Sequence, residues 1–248
     1  MEAIRKARGF ARRLAERRTH RLGQEELSIE RLISPLRYDV IVRERYIDFL
    51  AENLDLYHAD FDSYMASAQT HDYFAWFRSV AFLHRFGAPP RDERQVLQAY
   101  TDRVRRTTRL YLAYQRDGFD ARFPVSVRET TAAEETSSGK LLAPRFYPID
   151  GCHRLALLHM SGWKSLPFEF YRIAPTTKSP PDNTHTLLSN MKVTPREYYE
   201  FLSRGYTDKI FYERGALLAH VREENPERLA EVESIIATDE GLLAGENR

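Results

Sequence analysis

One stretch of the sequence combines a strand signal, a tight turn and a helix signal within a short distance. Phe146–Ile149 is an apolar run that predicts a strand, and it leads directly into Asp150-Gly151-Cys152-His153-Arg154. The apolar residues 155–160 then predict a helix, which we expect to end at Gly162. A helix that starts from such a turn has free backbone N–H groups at its first residues. These groups and the helix dipole favour an anion, so the sequence predicts an anion site here.

The side chains of this turn add chemistry to the predicted anion site. Gly151 allows the backbone to approach a ligand closely, while His153 and Arg154 offer donors, and an arginine can bind a phosphate through two parallel hydrogen bonds. Asp150 stands where a carboxylate can hold Mg²⁺ or accept a proton from an attacking hydroxyl. The alternative is structural: Asp150 only caps the helix and Gly151 only forms the turn.

The segment 147–167 resembles the D-G-x-H-R signature of the ParB/sulfiredoxin superfamily, in which a strand–turn–helix loop of this kind binds nucleotide phosphates. The segments 118–127 and 36–46 are similar to strands of the same superfamily, and residues 36–43 also alternate in a way that predicts a strand. The resemblance implies an α+β fold with a mixed β-sheet core over residues 31–174. A helical insertion would interrupt that core at about 47–116.

The superfamily offers three functions, and the loop residues favour one of them. Chromosome-partition proteins bind CTP and DNA, sulfiredoxins use a cysteine at the position of Cys152, and a third branch phosphorylates free serine. The match at Ile149-Asp150-Gly151 favours the kinase branch. That branch also uses an acidic residue near the end of its first strand, for which Asp39 and Glu44 are the candidates.

The sequence therefore predicts an enzyme, a nucleotide-dependent phosphotransferase that acts on a hydroxyl group of a small molecule such as a sugar or an amino acid. ATP or ADP would bind with its phosphates on Gly151–Arg154, and CTP stays open as the nucleotide. Asp150 would hold Mg²⁺, while Arg37 and Arg43 are candidates for binding an anionic substrate. Two alternatives remain. The first is a ParB-like nucleotide-binding switch, or a DNA-associated protein that binds CTP or ATP, without transfer chemistry; the second is sulfiredoxin-like thiol chemistry at Cys152.

Composition narrows the class of protein further. A single cysteine excludes an internal disulfide framework and a cysteine-rich metal site. Arginine accounts for 31 of the 37 basic residues, yet the net charge is only +1 and the C-terminal helices are acidic, which disfavours a nucleic-acid partner. No apolar run reaches the length of a membrane span. We expect a cytoplasmic protein, and the sequence leaves a homodimer open.

The rest of the chain is predicted to be largely helical. Residues 1–30 contain a basic amphipathic helix, residues 44–116 are mostly helical, and residues 129–140 form a polar loop. Strands are expected within 117–128 and 166–173. Residues 175–248 form a linker and a C-terminal helical region, where Thr194-Pro195-Arg196-Glu197 predicts a helix start with a capping box.

Overall fold

The structure, a computed structural model, describes residues 21–22, 25–33, 37–129, 146–178, 188, 193–207 and 209–243. Residues 1–20 of the predicted N-terminal helix lie outside the described residues. So do most of the predicted polar loop and most of the predicted linker.

The described residues form a mixed α+β structure, as the sequence predicts. The strands are short: β1 Arg21–Leu22, β2 Leu27–Ser28, β3 Val125–Glu129, β4 Phe146–Asp150, β5 Ser165–Leu166 and β6 Tyr171–Ile173. The helices before β3 are α1 Ile29–Ile33, α2 Tyr38–Glu52, α3 Leu54–Ala59, α4 Phe61–Ala68, α5 Asp72–Trp76, α6 Phe82–Phe86 and α7 Glu93–Asp117. The later helices are α8 Cys152–Met160, α9 Pro195–Tyr206, α10 Arg214–Glu224 and α11 Leu229–Leu243.

The larger sheet mixes parallel and antiparallel pairs. Its strand order is β1-β6-β3-β4, in which β3 pairs with β4 antiparallel and with β6 parallel. Among the described strands β4 lies at the edge of the sheet, a position in which a proline such as Pro148 is tolerated. The register of β3 and β4 shifts between Ser126 and Val127, opposite the last residues of β4. Such a bulge bends the strand end and re-aims the residues that follow.

The predicted strand, turn and helix are confirmed. β4 ends at Asp150, Gly151 has a left-handed φ of +85°, and α8 begins at Cys152. The backbone N–H of Leu155 donates to the carbonyl of Gly151, which starts the helical ladder. Gly162, with φ +82°, follows the end of α8 as expected. The apolar side of α8 is buried, and the helix packs against α2.

The predicted strand at residues 36–43 is wrong, because this segment forms the start of helix α2. The run Val40-Ile41-Val42 consists of three consecutive β-branched residues, which is typical of a strand. In the structure, ten of the helix residues are buried, including charged ones, so α2 is enclosed on several sides. A helix buried all round shows no single apolar stripe, and local periodicity cannot then separate helix from strand.

The other predicted strands are shorter than expected. In the segment 117–128 the strand begins only at Val125, and Phe123 before it is exposed. The segment 166–173 is divided into β5, a 3₁₀ turn at Phe168–Phe170 and β6, with Phe168 exposed. The prediction of a single strand in this segment, with Phe168 facing the core, is therefore wrong.

The C-terminal helices share the core with the rest of the described chain. The capping box at α9 is confirmed, since the Glu197 N–H donates to Thr194 Oγ1 while the Thr194 N–H donates to Glu197 Oε2. The ring of Phe201 on α9 packs edge-on against Tyr38 on α2, with centroids 4.7 Å apart. Arg45 of α2 also pairs with Glu200 of α9 at 3.4 Å. Among the described helices, none has the length and apolar character that crossing a membrane demands.

Gly151→Ala should destabilise the fold more than Gly162→Ala. Both glycines have a left-handed φ, so an alanine costs about 1–2 kcal/mol at either position. At Gly151 an added Cβ would also lie 2.9 Å from Arg154 Nη2 and 3.1 Å from the Val125 Cα, whereas nothing lies within 4 Å at Gly162. Overpacking of this kind adds about 1–3 kcal/mol. Urea unfolding of both variants measures the difference, and equal losses would contradict the close approach.

Candidate functional site

A cleft of about 350 Å³ opens where β4 passes into α8. Its walls come from four parts of the chain: the start of α2, the segment from α5 to α6, the helix α7, and the β4–α8 turn. The described residues that line it are Arg37, Asp39, Arg43, Trp76, Val80, Ala81, Arg85, Arg103, Pro148, Ile149 and Cys152. Four of these are arginines and one is a carboxylate, so the cleft is strongly cationic.

Three of the predicted residues form a buried ion cluster in the wall of this cleft. Asp39 is 3% exposed, and its two carboxylate oxygens accept from Arg37 Nε at 2.7 Å and Arg43 Nη1 at 2.5 Å. Asp39 and Arg43 are four residues apart, a spacing at which side chains meet on a helix but not on a strand. Burial alone would raise the pKa of Asp39, but the two guanidinium groups offset it and hold this pKa well below its usual value.

Arg37 connects the ion cluster to the β4–α8 turn. Its Nη1 donates to the carbonyl of Pro148 on β4, and its Nη2 donates to Cys152 Sγ at 2.9 Å. Burial opposes the charge on Arg37, yet Asp39 and Cys152 raise the pKa of its guanidinium, so it stays cationic. Arg37 therefore holds the first residue of α8 against the start of α2.

The residues that helices α5 to α7 contribute to the cleft were not predicted from the sequence. Trp76 lies under the Arg43 guanidinium, 4.3 Å from its ring centroid, and is followed by a π-helical segment, Phe77–Ala81. Segments of this kind are often found at functional sites. Arg103 enters the cleft from the middle of α7. The arginine-rich composition is the one signal that could have pointed to Arg103, and it does not separate this residue from the other 30 arginines.

The surroundings of His153 disfavour the charged form of its imidazole. Its Nε2 lies 2.8 Å from the Tyr73 hydroxyl, and the two rings meet edge-on. Burial lowers the pKa of His153 well below 6.5, and the nearby Arg43 and Arg103 charges lower it further. The imidazole is therefore neutral at pH 7. One ring nitrogen then carries the hydrogen, and the other accepts.

Arg154 belongs to a different cavity from Cys152. Its Nη2 donates to the carbonyl of Pro124 at 3.2 Å, and its side chain lines a second cavity of about 500 Å³. The other walls of that cavity come from the end of α7 and from residues 117–123. Cys152 and Arg154 are two positions apart, so at about 100° per residue their side chains point to nearly opposite sides of the helix. The predicted loop therefore divides its side chains between two cavities.

Asp150 is exposed at the end of β4, next to the cleft but not among its lining residues. The Gly151 N–H donates to Asp150 Oδ1 at 2.8 Å. The described residues hold no group of three or more His, Cys, Asp or Glu side chains able to bind a metal. Mg²⁺ often uses one or two carboxylates together with phosphate oxygens, so Asp150 has the chemistry of a ligand that shares the ion with a nucleotide.

Glu44 lies apart from the cleft residues. It is 1% exposed, and its Oε1 is 2.8 Å from His159 Nδ1 on α8. This contact links α2 to the last turn of α8, just as Arg37 links the start of α2 to the first turn. The structure thus brings Arg37, Asp39, Arg43 and Cys152 together, and it separates Glu44 and Arg154 from them.

In comparisons with protein-family models, curated proteins and solved structures, no match to this chain was found. The resemblance of the β4–α8 turn to the ParB/sulfiredoxin signature therefore remains a prediction from the residues themselves.

Asp39→Asn should destabilise the protein by about 3–5 kcal/mol, because it leaves two buried guanidinium groups without their carboxylate. The exposed Asp62→Asn is the matched control and should change stability by less than about 0.5 kcal/mol. Since folding lowers the pKa of Asp39, its stabilisation is present above about pH 4 and is lost as the pH falls below that value. Urea unfolding of the parent and both variants at pH 7 and pH 3 tests both predictions. If the parent and Asp39→Asn differ in stability by the same amount at both pH values, the predicted pH dependence is wrong.

His153 should make the protein less stable as the pH falls below about 6.5. The unfolded chain binds a proton at this residue near pH 6.5, whereas the folded chain does not until a lower pH. His153→Gln should therefore flatten the stability profile on the acid side by up to about 1.4 kcal/mol per pH unit. His58→Gln, at an exposed histidine, is the control for replacing a histidine by glutamine. Unfolding curves between pH 4.5 and 7.5 measure the slopes.

Proposed function

We propose that this chain is a nucleotide-dependent phosphotransferase whose phosphate site is the cleft at the start of α8. The observation that carries the proposal is the meeting of three arginines, Arg37, Arg43 and Arg103, with the N-terminus of that helix in one cleft. Guanidinium groups and free helix N–H groups are both phosphate ligands. A chain of two or three phosphoryl groups would occupy the cleft, which has a volume typical of small-molecule sites.

The proposed roles of the three carboxylates follow from their positions and their burial. Asp39 accepts from two arginines, so we assign it the role of holding Arg37 and Arg43 in place. Asp150 is exposed beside the cleft and is the carboxylate we assign to the chemical step. Glu44 is paired with His159 and receives no catalytic role.

In the proposed reaction, a hydroxyl oxygen of the acceptor attacks the terminal phosphorus of the nucleotide. A new O–P bond forms, the P–O bond to the leaving phosphate breaks, and the hydroxyl proton passes to the Asp150 carboxylate. The arginines stabilise the charge on the phosphoryl oxygens during this transfer. Mg²⁺ bound to the phosphate oxygens would neutralise further charge. The acceptor would be a small hydroxyl compound such as a sugar or an amino acid.

The finer fold assignment belongs to the same proposal. We assign β3, β4, β6 and α8 to a core of the ParB/sulfiredoxin type, and the order strand, Asp-Gly turn and helix supports this assignment. The long helical part of the chain then provides one wall of the cleft through Trp76 and Arg103.

A nucleotide-binding switch without transfer is the second candidate. It is favoured by one observation, namely that Asp150 is adjacent to the cleft and does not line it. ATP, ADP or CTP would then bind and alter the assembly of the chain, with a homodimer as the simplest form.

Thiol chemistry is the third candidate, and the 2.9 Å contact from Arg37 Nη2 to Cys152 Sγ favours it. Cys152→Ser separates this candidate from the others, since a phosphotransferase should keep most of its activity with a serine at that position. Loss of all activity in this variant, with an unchanged unfolding midpoint, would favour the thiol.

Asp150→Asn should abolish phosphotransfer and leave the unfolding midpoint close to that of the parent, because the side chain is exposed. Asp55→Asn, an exposed carboxylate on α3, is the control and should retain full activity. Incubation with ATP, ADP or CTP, Mg²⁺ and a panel of polyols and amino acids, followed by mass spectrometry, detects the phosphorylated product. Full turnover by Asp150→Asn would reject its catalytic role, and nucleotide binding without any product would favour the switch.

A further inference from the structure

The positive charge in the cleft exceeds what its carboxylate can balance. Asp39 is the one carboxylate among the described residues that line the cleft, and it already serves Arg37 and Arg43. Arg103 adds a third guanidinium to the same cleft. Arg85 lies at the exposed edge of the cleft and is left out of this comparison. The other three arginines and the single carboxylate leave two positive charges that no carboxylate of the described lining balances.

Two guanidinium nitrogens of this group lack a hydrogen-bond partner. Arg43 Nε and Arg103 Nε are both buried, and within the described part of the chain neither donates to any acceptor. Arg43 as a whole is only 7% exposed, and its other contacts are to Asp39 and to the face of Trp76. A buried donor without an acceptor costs stability, and a buried charge without a counter-ion costs more.

The surroundings of Arg103 disfavour its charge in the ligand-free protein. Burial lowers the pKa of Arg103; Tyr73 and Cys152 raise it, but the neighbouring Arg43 and Arg106 charges lower it, and the pKa lies below its usual value. Its cation–π contact with Phe77, at 5.7 Å, is a weak compensation. Such an arrangement is typical of a binding site, where the ligand provides the missing negative charge.

We propose that Arg103, on helix α7, is a phosphoryl-binding residue, and that together with Arg43 it forms a subsite for a dianionic phosphoryl group. The unpartnered Nε atoms and the excess of two positive charges match a group with two negative charges and several acceptor oxygens. A monoanion such as a carboxylate would leave one charge unbalanced. The identification of the dianion as a phosphoryl group rests on the proposed function, whereas the need for a dianion rests on the cleft alone.

The proposal predicts that binding and stability respond in opposite directions to the loss of Arg103. Arg103→Gln removes an unbalanced charge from a partly buried position, so the unfolding midpoint of the ligand-free protein should stay the same or rise. The same variant should bind inorganic pyrophosphate about 10- to 100-fold more weakly, since a charge-assisted contact is lost. A purely structural arginine would show the reverse pattern, with a lower midpoint and unchanged binding.

The matched control is Arg109→Gln, which removes the same charge from an exposed position on the same helix. It should change pyrophosphate affinity by less than about threefold, the residual effect being long-range and screened by salt. Unfolding midpoints of the parent and both variants are measured against pyrophosphate concentration. Sodium acetate at equal ionic strength serves as the monoanion reference and should stabilise the parent much less.

Each result of this experiment decides the proposal. Unchanged pyrophosphate affinity in Arg103→Gln, or no stabilisation of the parent by millimolar pyrophosphate, would overturn it. If Arg103→Gln loses both affinity and stability, the Arg103→Lys variant decides. A pyrophosphate affinity within tenfold of the parent's supports a charge contact with the ligand, and no recovery of affinity overturns the proposal. Pyrophosphate binding requires no transfer, so this outcome is independent of whether Asp150→Asn abolishes turnover.

Discussion

The buried ion cluster of Arg37, Asp39 and Arg43 is the interaction on which the rest of the site depends. It forms at the first turn of α2, and through Arg37 it also reaches the Pro148 carbonyl and Cys152. One carboxylate thus fixes the relative position of a helix start, a strand end and a second helix start. Removing a member of such a cluster leaves buried charge unpaired, which is far more costly than losing an exposed ion pair.

The same cluster sets the electrostatics of the cleft. Asp39 is saturated by two arginines, so it cannot also balance Arg103, and the cleft keeps an excess of positive charge. Burial lowers the pKa of His153 and this charge lowers it further, so the imidazole is neutral at pH 7. Under the proposed function, stability in the absence of ligand would be exchanged for affinity toward an anion, and arginine forks and helix N-termini recognise phosphate groups well.

Local signals predicted the β4–α8 turn and the capping box of α9 correctly, because each depends on residues within a few positions of one another. Gly151 permits the left-handed φ of this turn without a steric cost, and Thr194 with Glu197 caps a helix by itself. The start of α2 was predicted wrongly for the opposite reason. Its β-branched residues are enclosed by several other elements, and burial on all sides overrides the local preference for a strand.

By itself, the sequence determined the turn at Asp150-Gly151, the helix that follows it and the presence of Cys152 in its first turn. Only the tertiary structure decided which side chains share a cleft with that turn. Arg103 and Trp76 lie far from it in the chain, and Arg154 lies beside it yet lines another cavity. The physical reason is that a turn depends on the torsion angles of adjacent residues, whereas a charged cleft depends on long-range packing that periodicity does not encode.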